Sequence, residues 1–358
     1  MTKAVTRRGF LRAMWQVGLG YTLAGLLGYE YALRIEPHWL SIEHVVIPIE
    51  GLGSAFDGFK IVCLSDFHLR PHQQIDWIRQ VVERANQLTP DLVCLLGDYV
   101  LERADRIDSL APVLAELEPR HGVLCVLGNH DLWTDRDVVT AGLERAGLRV
   151  LVNQGSLLRM GEEQLYVAGL DDGWSGNPDL SAALQDAPRG GGAVLLMHEP
   201  DFADQLSTDG RLCLQLSGHS HGGQIRLPGV GALVLPDLGR KYDQGLFRVN
   251  RMWLYTTRGI GAIDPPLRFG CRPEITEITL VREASSRGPE GAHPAGRRAG
   301  AGPGMADPFQ AGKRSRQKGW WSEHQRWWFS RKSAQAFRFE ALVLASRASD
   351  SFGLRRLS

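Results

Sequence analysis

The most informative stretch of this sequence is Phe59-Lys60-Ile61-Val62-Cys63-Leu64-Ser65-Asp66-Phe67-His68. Its first six residues form a short apolar run of the kind that is typical of a buried strand. An Asp-x-His motif follows at the point where that strand would end. Because loops at strand ends are where a rigid sheet presents ligands, this stretch predicts both a strand and part of a functional site.

Similar apolar runs recur along the chain. They predict further buried strands at residues 92–96, 123–127, 165–170, 193–197 and 212–216. Apolar residues at helical spacing within 75–85 and 138–146 predict two helices between strands. Strands that alternate with helices indicate a layered α/β body. The later runs at 230–235, 245–249, 252–256 and 275–280 have no helices between them and predict a second, more antiparallel sheet.

Polar motifs follow the predicted strands repeatedly. Beyond Asp66-Phe67-His68 they are Gly97-Asp98, Gly128-Asn129-His130-Asp131, His198 and Gly218-His219-Ser220-His221. Each motif is weak alone, but so many carboxylates, amides and imidazoles at the ends of buried strands would be costly to fold unless metal ions coordinated them. Oxygen and imidazole ligands without thiolate suit manganese, iron or zinc. The pattern therefore predicts a catalytic metal site.

In order and spacing, these motifs resemble those of the calcineurin-like metallophosphoesterase superfamily, over roughly residues 59–281. The resemblance implies an α/β fold, a four-layer αββα sandwich of two mixed sheets flanked by helices. It also implies two divalent metal ions. The implied ligands are Asp66, His68 and His221 for one ion, Asn129, His198 and His219 for the other, and Asp98 as the bridge between them.

The implied activity is that of a phosphoesterase in which a hydroxide held between the two metals attacks phosphorus directly. His130 would stabilise the phosphate oxygens or protonate the leaving oxygen. Asp131 would orient the His130 imidazole, and structural capping by Asp131 is the alternative. Both His130 and Asp131 are therefore candidate catalytic residues.

The segments Met197-His198-Glu199-Pro200-Asp201 and Gly218–Gln224, with the closing segment 268–275, are similar to a membrane-associated, twin-arginine-exported phosphodiesterase branch. That similarity implies a phosphate ester or diphosphate substrate, lipid-linked and of the lipid A biosynthesis type, such as UDP-diacylglucosamine. Arg258 and Arg268 are candidate substrate-binding residues because guanidinium matches phosphate oxygens, with ordinary ion pairing as the alternative.

The N-terminus predicts a targeting segment over residues 1–33. Paired arginines at 7 and 8 precede Phe10-Leu11 and an uncharged stretch at 13–29. This pattern resembles a twin-arginine signal read by the twin-arginine export machinery, and an ordinary membrane anchor is the alternative. Bulky residues follow the stretch where a cleavage site would need small ones, which favours retention as an anchor. We therefore expect the protein at the membrane, on its extracytoplasmic face in the periplasm or cell envelope.

The remaining segments differ in charge. Residues 34–58 are expected to form a linker and a possible first strand, and 59–281 the catalytic domain. Residues 282–358 carry 15 basic and 6 acidic side chains and predict a disordered tail. Its tryptophans at 320, 321, 327 and 328 could bind a membrane surface or have no selected role. The mildly acidic body argues against a nucleic-acid substrate.

Two other hypotheses stay open at this point. One is a non-catalytic, metal-dependent binder of phosphorylated envelope polymers, and the other is a phosphatase of another substrate class. Of the five cysteines, those at 63, 94, 125 and 213 lie in apolar runs without close pairing and are expected to be buried apolar residues. Neither disulfides nor thiolate ligands are indicated.

Overall fold

The computed structural model describes residues 6–69, 75–188 and 192–283. The polypeptide forms two six-stranded sheets, both mixed, with helices beside them. This arrangement confirms the predicted fold class. The disordered tail and the tryptophan cluster predicted within residues 284–358 lie outside the described residues.

The strand predicted at residues 59–64 lies near the centre of the first sheet. In spatial order its strands are β1 (Ser41–Ile49), β14 (Glu274–Arg282), β2 (Phe59–Leu64), β3 (Leu92–Leu95), β4 (Val123–Cys125) and β5 (Arg149–Val150). Neighbours run parallel except β14 and β2, which are antiparallel. Every residue of β3 is buried, as expected for a parallel strand covered on both faces.

The second sheet collects the strands from the middle of the chain. In spatial order they are β12 (Gly245–Val249), β13 (Met252–Thr256), β9 (Leu212–Ser217), β8 (Ala193–Leu196), β7 (Glu163–Gly169) and β6 (Gln154–Met160). The two outer pairs are antiparallel and the inner pairs parallel. A separate two-stranded hairpin consists of β10 (Arg226–Leu227) and β11 (Gly231–Ala232).

The prediction that the late strands form a sheet of their own is wrong. Strands β12 and β13 extend the second sheet through the parallel pair β13 and β9. Strand β14 crosses to the first sheet and lies between β1 and β2. The run at 230–235 contributes only the two residues of β11.

The helices lie mostly between strands, as the alternation predicts. Their bounds are α1 (Arg7–Glu30), α2 (Ile75–Gln87), α3 (Ile107–Leu114), α4 (Asn129–Arg145), α5 (Leu180–Ala183) and α6 (Ala203–Leu206). The buried side chains of α2 are Ile78, Val81, Val82 and Ala85, which recur at the period of one helix face. That face packs on the first sheet.

Three apolar clusters define the layers. One lies between the sheets and joins residues such as Ile61 and Cys94 to Val194 and Leu216. A second joins the other face of the first sheet to α2, α3 and α4. A third joins the outer face of the second sheet to α5 and α6. The order is therefore helix, sheet, sheet, helix, which places the ends of strands from both sheets next to each other.

The N-terminal helix α1 stands apart from these layers in its burial. It has no buried residue, and its large apolar side chains, Trp15 and Tyr21 among them, are exposed. A short π-helical turn, Tyr31–Ile35, follows it, and its Ala32 is buried. Among the residues that the structure describes, no helix combines the length and apolar character needed to cross a bilayer.

The cysteines in the sheets behave as apolar residues. Cys63, Cys94 and Cys125 are free and buried, in the first-sheet strands β2, β3 and β4. Burial raises the pKa of the Cys125 thiol to about 12. These thiols are therefore protonated at neutral pH and fill space in the core.

Candidate metal centre

Both sheets contribute to one polar cluster at their strand ends. Asp66 and His68 follow β2, Asp98 follows β3, and His198 follows β8. These four polar side chains are buried, at the ends of strands whose other residues are mostly apolar. Nearby, β4 leads into Asn129, the first residue of α4, and β9 leads into the buried His219 and His221.

The first group of candidate ligands comprises Asp66, His68 and His221, whose ligand atoms all lie within 4.8 Å of one another. The Nε2 atoms of His68 and His221 face each other at 2.9 Å. Nε2 of His221 lies 3.5 Å from Oδ1 of Asp66, and Nε2 of His68 lies 3.9 Å from the same oxygen. Three ligand atoms thus converge on one point.

The second group comprises Asp98, His198 and His219, again within 4.8 Å of one another. Oδ2 of Asp98 lies 3.2 Å from Nε2 of His198. The rings of His198 and His219 are near perpendicular, with centroids 5.0 Å apart. Edge-to-face rings let two imidazoles direct nitrogens to one ion without clashing.

Asp98 lies between the two groups and is close to ligands of both. The same Oδ2 atom that faces His198 lies 3.4 Å from Nε2 of His68. One carboxylate oxygen is therefore within reach of ligands from either group, which is the position that a bridging ligand between two ions requires.

Main-chain carbonyl groups fix the orientation of two of the imidazoles. Nδ1 of His198 lies 2.6 Å from the carbonyl oxygen of Leu96, which leaves Nε2 to face Asp98. Nε2 of His219 lies 2.8 Å from the carbonyl oxygen of Asp237, which leaves Nδ1 for the cluster. Such contacts hold the ring and its tautomer ready for a metal. Sequence reasoning missed both partners because main-chain atoms carry no residue signal.

The backbone around the cluster is strained. Asp66, His68, Asp98, His219 and His221 all have positive φ, between 46° and 69°. Non-glycine residues rarely adopt this left-handed conformation, and it costs free energy wherever it occurs. Five candidate ligands share it, which indicates that the loops are shaped to converge their side chains rather than to relax the backbone.

Two glycines allow the loops to approach the ligands closely. A Cβ on Gly128 would lie 2.4 Å from Oδ1 of Asp98, and one on Gly218 would lie 2.5 Å from Oδ2 of Asp66. Both distances are shorter than any van der Waals contact. The glycine that precedes each of these motifs is therefore required by the space around the carboxylates.

The donor set fits divalent cations. Among the described residues, the buried Oδ1 atom of Asn129 has no hydrogen-bond partner, which is costly unless something binds it. The Nε2 atoms of His68 and His221, 2.9 Å apart, are likewise placed to bind the same cation. Asn129 would complete the second group, and the set of carboxylate, amide and imidazole suits manganese, iron or zinc.

Burial and charge prepare the ligands. Burial lowers the pKa of His219 to about 3 and that of His221 well below the usual range, so both imidazoles are neutral and able to bind metal. Burial would raise the pKa of Asp98, but the facing His198, with His130 and His68, holds it well below the usual range. The Asp98 carboxylate is thus ionised and surrounded by groups that favour its charge.

His130 lies at the edge of the cluster. It is half-buried, and its ring lies 4.8 Å from that of His68. Its main-chain N–H donates to Oδ1 of Asp98 at 2.8 Å. His130, His68 and Asp98 also form a third group of possible ligands within 4.8 Å. The half-exposed imidazole is placed to reach a molecule bound at the two other groups.

The predicted role of Asp131 as the residue that orients His130 is wrong. The buried Asp131 carboxylate accepts hydrogen bonds from the N–H groups of Asp98 and Gly128 through Oδ2, at 2.9 and 3.0 Å, and from Tyr99 and Val100 through Oδ1, at 2.9 and 3.3 Å. It therefore caps α4 and shapes the loop that carries Asp98, which is the structural alternative.

Arg258 and Arg268, the candidate substrate-binding residues, both have partners within the protein. Arg268 is fully buried, and its guanidinium donates to the carbonyl groups of Gly261, Cys271 and Arg258. Its role is to tie loops together. The Arg258 guanidinium is paired with Glu43 and Glu274, the ion pairing considered as its alternative.

Two tryptophans that sequence reasoning missed border the cluster. The ring of Trp133 lies 4.7 Å from that of His130, and the ring of Trp174 lies 5.5 Å from that of His219. The two indoles contact each other at 5.5 Å, and Nε1 of Trp133 donates to Ser175. Trp133 lies one helical turn after His130, the one feature of the sequence that could have suggested it.

Comparison with known proteins gives a consistent result. The family described as calcineurin-like phosphoesterase matches residues 59–223. The chain is 35% identical over 283 residues to the metallophosphoesterase YkuE of Bacillus subtilis (strain 168), covering 78% of this chain and 98% of YkuE. It is 32% identical to the phosphodiesterase YaeI of Escherichia coli (strain K12), covering 77% and 100%. A transmembrane protein with a metallophosphoesterase domain from Danio rerio is 32% identical, covering 66% and 56%.

Proposed function

From the premise that this chain belongs to the calcineurin-like phosphoesterase family, we propose that it hydrolyses a phosphodiester or diphosphate bond in a lipid-linked envelope substrate, with two divalent metal ions. The broader activity, metal-dependent hydrolysis of phosphoesters, is that of the family. The proposal adds the number of ions, the kind of bond and the lipid.

The observation that carries the two-ion centre is the position of Asp98. Its Oδ2 atom lies 3.4 Å from Nε2 of His68 and 3.2 Å from Nε2 of His198, between the two groups of ligands. When bound at such a site, divalent ions lower the pKa of water and balance the charge of a phosphate. The ligands on either side of Asp98 would hold one ion each.

The protein supplies the remaining steps from its own residues. The neutral, oriented imidazole of His219 binds without first losing a proton. Burial would lower the pKa of His198, but the facing Asp98 carboxylate raises it, so this oriented imidazole would release a proton when a metal ion binds. The half-exposed His130 is placed to donate a proton to the leaving oxygen, since a positioned imidazole is an effective acid near neutral pH. Trp133 and Trp174 border the site beside His130 and His219.

The proposal of a lipid-linked substrate rests on the N-terminus and on relatives. The paired arginines at 7 and 8 precede α1, all of whose apolar side chains are exposed to solvent. One relative is named a phosphodiesterase and another a transmembrane protein. On this basis we propose export by the twin-arginine machinery, a site on the extracytoplasmic face of a membrane, and a substrate of the UDP-diacylglucosamine type.

The chemistry is tested by hydrolysis of bis-p-nitrophenyl phosphate with added Mn²⁺. We expect Asp98→Ala to lose activity by about 1000-fold or more, because the ligand shared by both groups is removed. The matched control is Asp76→Ala, which removes an exposed aspartate of α2. Equal turnover by the wild type and Asp98→Ala would contradict the proposal.

The substrate class needs a second experiment. The purified wild-type protein is assayed with lipid diphosphates, cyclic nucleotides and phosphopeptides over the same range of concentrations, with phosphate or phosphomonoester release as the measurement. The proposal predicts the highest kcat/KM for the lipid diphosphates. A preference for either of the other two classes would keep the hydrolase and overturn the lipid-linked substrate.

A further inference from the structure

A small apolar hairpin protrudes beside the metal centre. Strands β10 and β11 pair at only two register positions and are joined by a turn at Pro228 and Gly229. Four aliphatic side chains in and around this hairpin are exposed. Val230 is 70% exposed and Val234 is 76% exposed, and Leu227 and Leu233 are exposed as well. We call residues 227–234 the apolar hairpin. Large aliphatic side chains clustered in this way usually mark a contact surface.

The hairpin forms one side of a cavity of about 830 Å³. Leu227 and Val230 line it on one side, and Tyr31 and Glu36, from the segment that follows α1, line it on another. That same segment carries two more exposed apolar residues, Ile35 and Trp39. The apolar hairpin and the end of the N-terminal segment therefore border one opening.

A cation and an indole lie at the rim of this opening. The Arg272 guanidinium, which lines the cavity, stacks on the Trp39 ring at 4.8 Å and donates to Oγ of Ser41. Among the described residues no acidic side chain lies within salt-bridge distance of Arg272, whereas the two other arginines of the cavity, Arg226 and Arg258, are paired with Asp243 and with Glu43 and Glu274.

The surface is joined directly to the metal centre. Nη1 of Arg226, the first residue of β10, donates to the carbonyl oxygen of Gly222 at 2.8 Å, and Gly222 follows the candidate ligand His221. A Cβ on Gly223 would lie 2.3 Å from Cβ of Ala232, so the hairpin packs closely on the same loop. The hairpin therefore begins only a few residues after the candidate ligand His221 and packs on the loop that carries it.

We propose that the apolar hairpin, Trp39 and Arg272 form a surface that docks on an anionic lipid bilayer. The aliphatic side chains would enter the acyl region, Trp39 would lie at the headgroup level, and Arg272 would bind a lipid phosphate. The inference rests on the proposed function in one respect, the lipid-linked substrate. It adds the face of the protein that meets the lipid.

The composition of the surface favours a bilayer over a protein partner. Four aliphatic side chains on a two-residue ladder are far fewer than the 20–30 residues, about 800 Å² per partner, of a stable protein interface. Protruding aliphatic side chains next to an indole and a guanidinium that has no acidic partner within the described part of the chain suit the bilayer interface, which offers an apolar interior under a layer of phosphates.

The test is amide hydrogen exchange of the full-length protein with vesicles of phosphatidylglycerol and phosphatidylcholine. We expect exchange in residues 226–234 to slow by about 5-fold or more when anionic vesicles are added, and not with phosphatidylcholine alone. The double variant Val230→Glu, Val234→Glu should lose this protection. Val46→Glu is the matched control, because Val46 is another exposed valine, 60% exposed, on β1.

Each outcome has a definite meaning. If the protein binds the vesicles and the 226–234 exchange stays unchanged, another segment makes the contact and the proposal is overturned. Equal protection by phosphatidylcholine, whose phosphate charge is balanced by choline, would overturn the preference for an anionic bilayer that is assigned to Arg272. Protection that depends on protein concentration without vesicles would overturn the proposal in favour of a second copy of the chain. Turnover of bis-p-nitrophenyl phosphate, measured on the same samples, reports the proposed hydrolase activity separately, and the hairpin variants should retain it.

Discussion

Asp98 and His198 join the two halves of the molecule, with Oδ2 of Asp98 3.2 Å from Nε2 of His198. Asp98 follows β3 in the first sheet, and His198 follows β8 in the second. The two sheets pack face to face through an apolar cluster, so their relative position sets the distance between these atoms. We therefore expect packing and metal binding to be coupled, so that changes that disturb the approach of the loops reduce metal content.

Gly128 tests this coupling. A Cβ added at Gly128 would lie 2.4 Å from Oδ1 of Asp98 and 2.7 Å from Cε1 of His198. We expect Gly128→Ala to lower both metal content and turnover by about 10-fold or more, since the added methyl displaces a ligand from each sheet. Gly210→Ala is the control, because a Cβ there meets nothing within 4 Å. Full metal content in Gly128→Ala would contradict the coupling.

His130 and Asp131 are adjacent and should separate cleanly in experiment. His130→Asn is expected to lower kcat on bis-p-nitrophenyl phosphate by about 100-fold, with little effect on stability, because its imidazole is half-buried at the edge of the cluster. Asp131→Asn should instead lower the free energy of unfolding by about 3 kcal/mol, because its amide NH2 would face two of the N–H groups from which the carboxylate accepts hydrogen bonds. Denaturant unfolding and steady-state kinetics on both variants check this. The opposite pattern would restore Asp131 as a catalytic residue.

Arg268 should behave as a structural residue. Its guanidinium is buried and donates to carbonyl groups of four residues, Arg258, Gly259, Gly261 and Cys271. Lysine cannot reach them all, so Arg268→Lys is expected to lower the free energy of unfolding by about 3 kcal/mol. Arg251→Lys, at an 84% exposed side chain, should change it by less than about 0.5 kcal/mol. A raised KM with unchanged stability would instead support substrate binding by Arg268.

The pH dependence of stability should show the contacts of Asp204. Hydrogen bonds from the Lys241 ammonium and the Tyr242 hydroxyl, at 2.6 and 2.8 Å, hold the pKa of the Asp204 carboxyl below its usual range. A lowered folded-state pKa means that the stabilisation is present above the unfolded pKa, about 3.9, and is lost as the pH falls through the folded value.

The measurement compares urea unfolding of the wild type and Asp204→Asn at several pH values. The wild type should be the more stable at pH 7, and the difference should shrink below about pH 4. Asp76→Asn, which removes a mostly exposed carboxylate of α2, is the control and should show a smaller difference at pH 7. A difference between the wild type and Asp204→Asn that grows as the pH falls would contradict the assignment.

Much of the fold and site could be predicted because the signals are local. Strand β2 begins and ends where its apolar run does, and the polar residues after it point into the cluster. The partner of β14 could not be predicted, since an apolar run does not say which sheet it joins. Nor could the burial of Arg268, because a buried guanidinium depends on carbonyl groups that distant loops supply.

We propose that seven side chains hold two metal ions, one on either side of Asp98. The most direct measurement is anomalous scattering at the manganese edge from crystals of the full chain grown with Mn²⁺. We predict two peaks about 3.5 to 4 Å apart. One should be bound by Asp66, His68 and His221, the other by Asn129, His198 and His219, with Asp98 between them. A single peak, or peaks away from these residues, would contradict the claim.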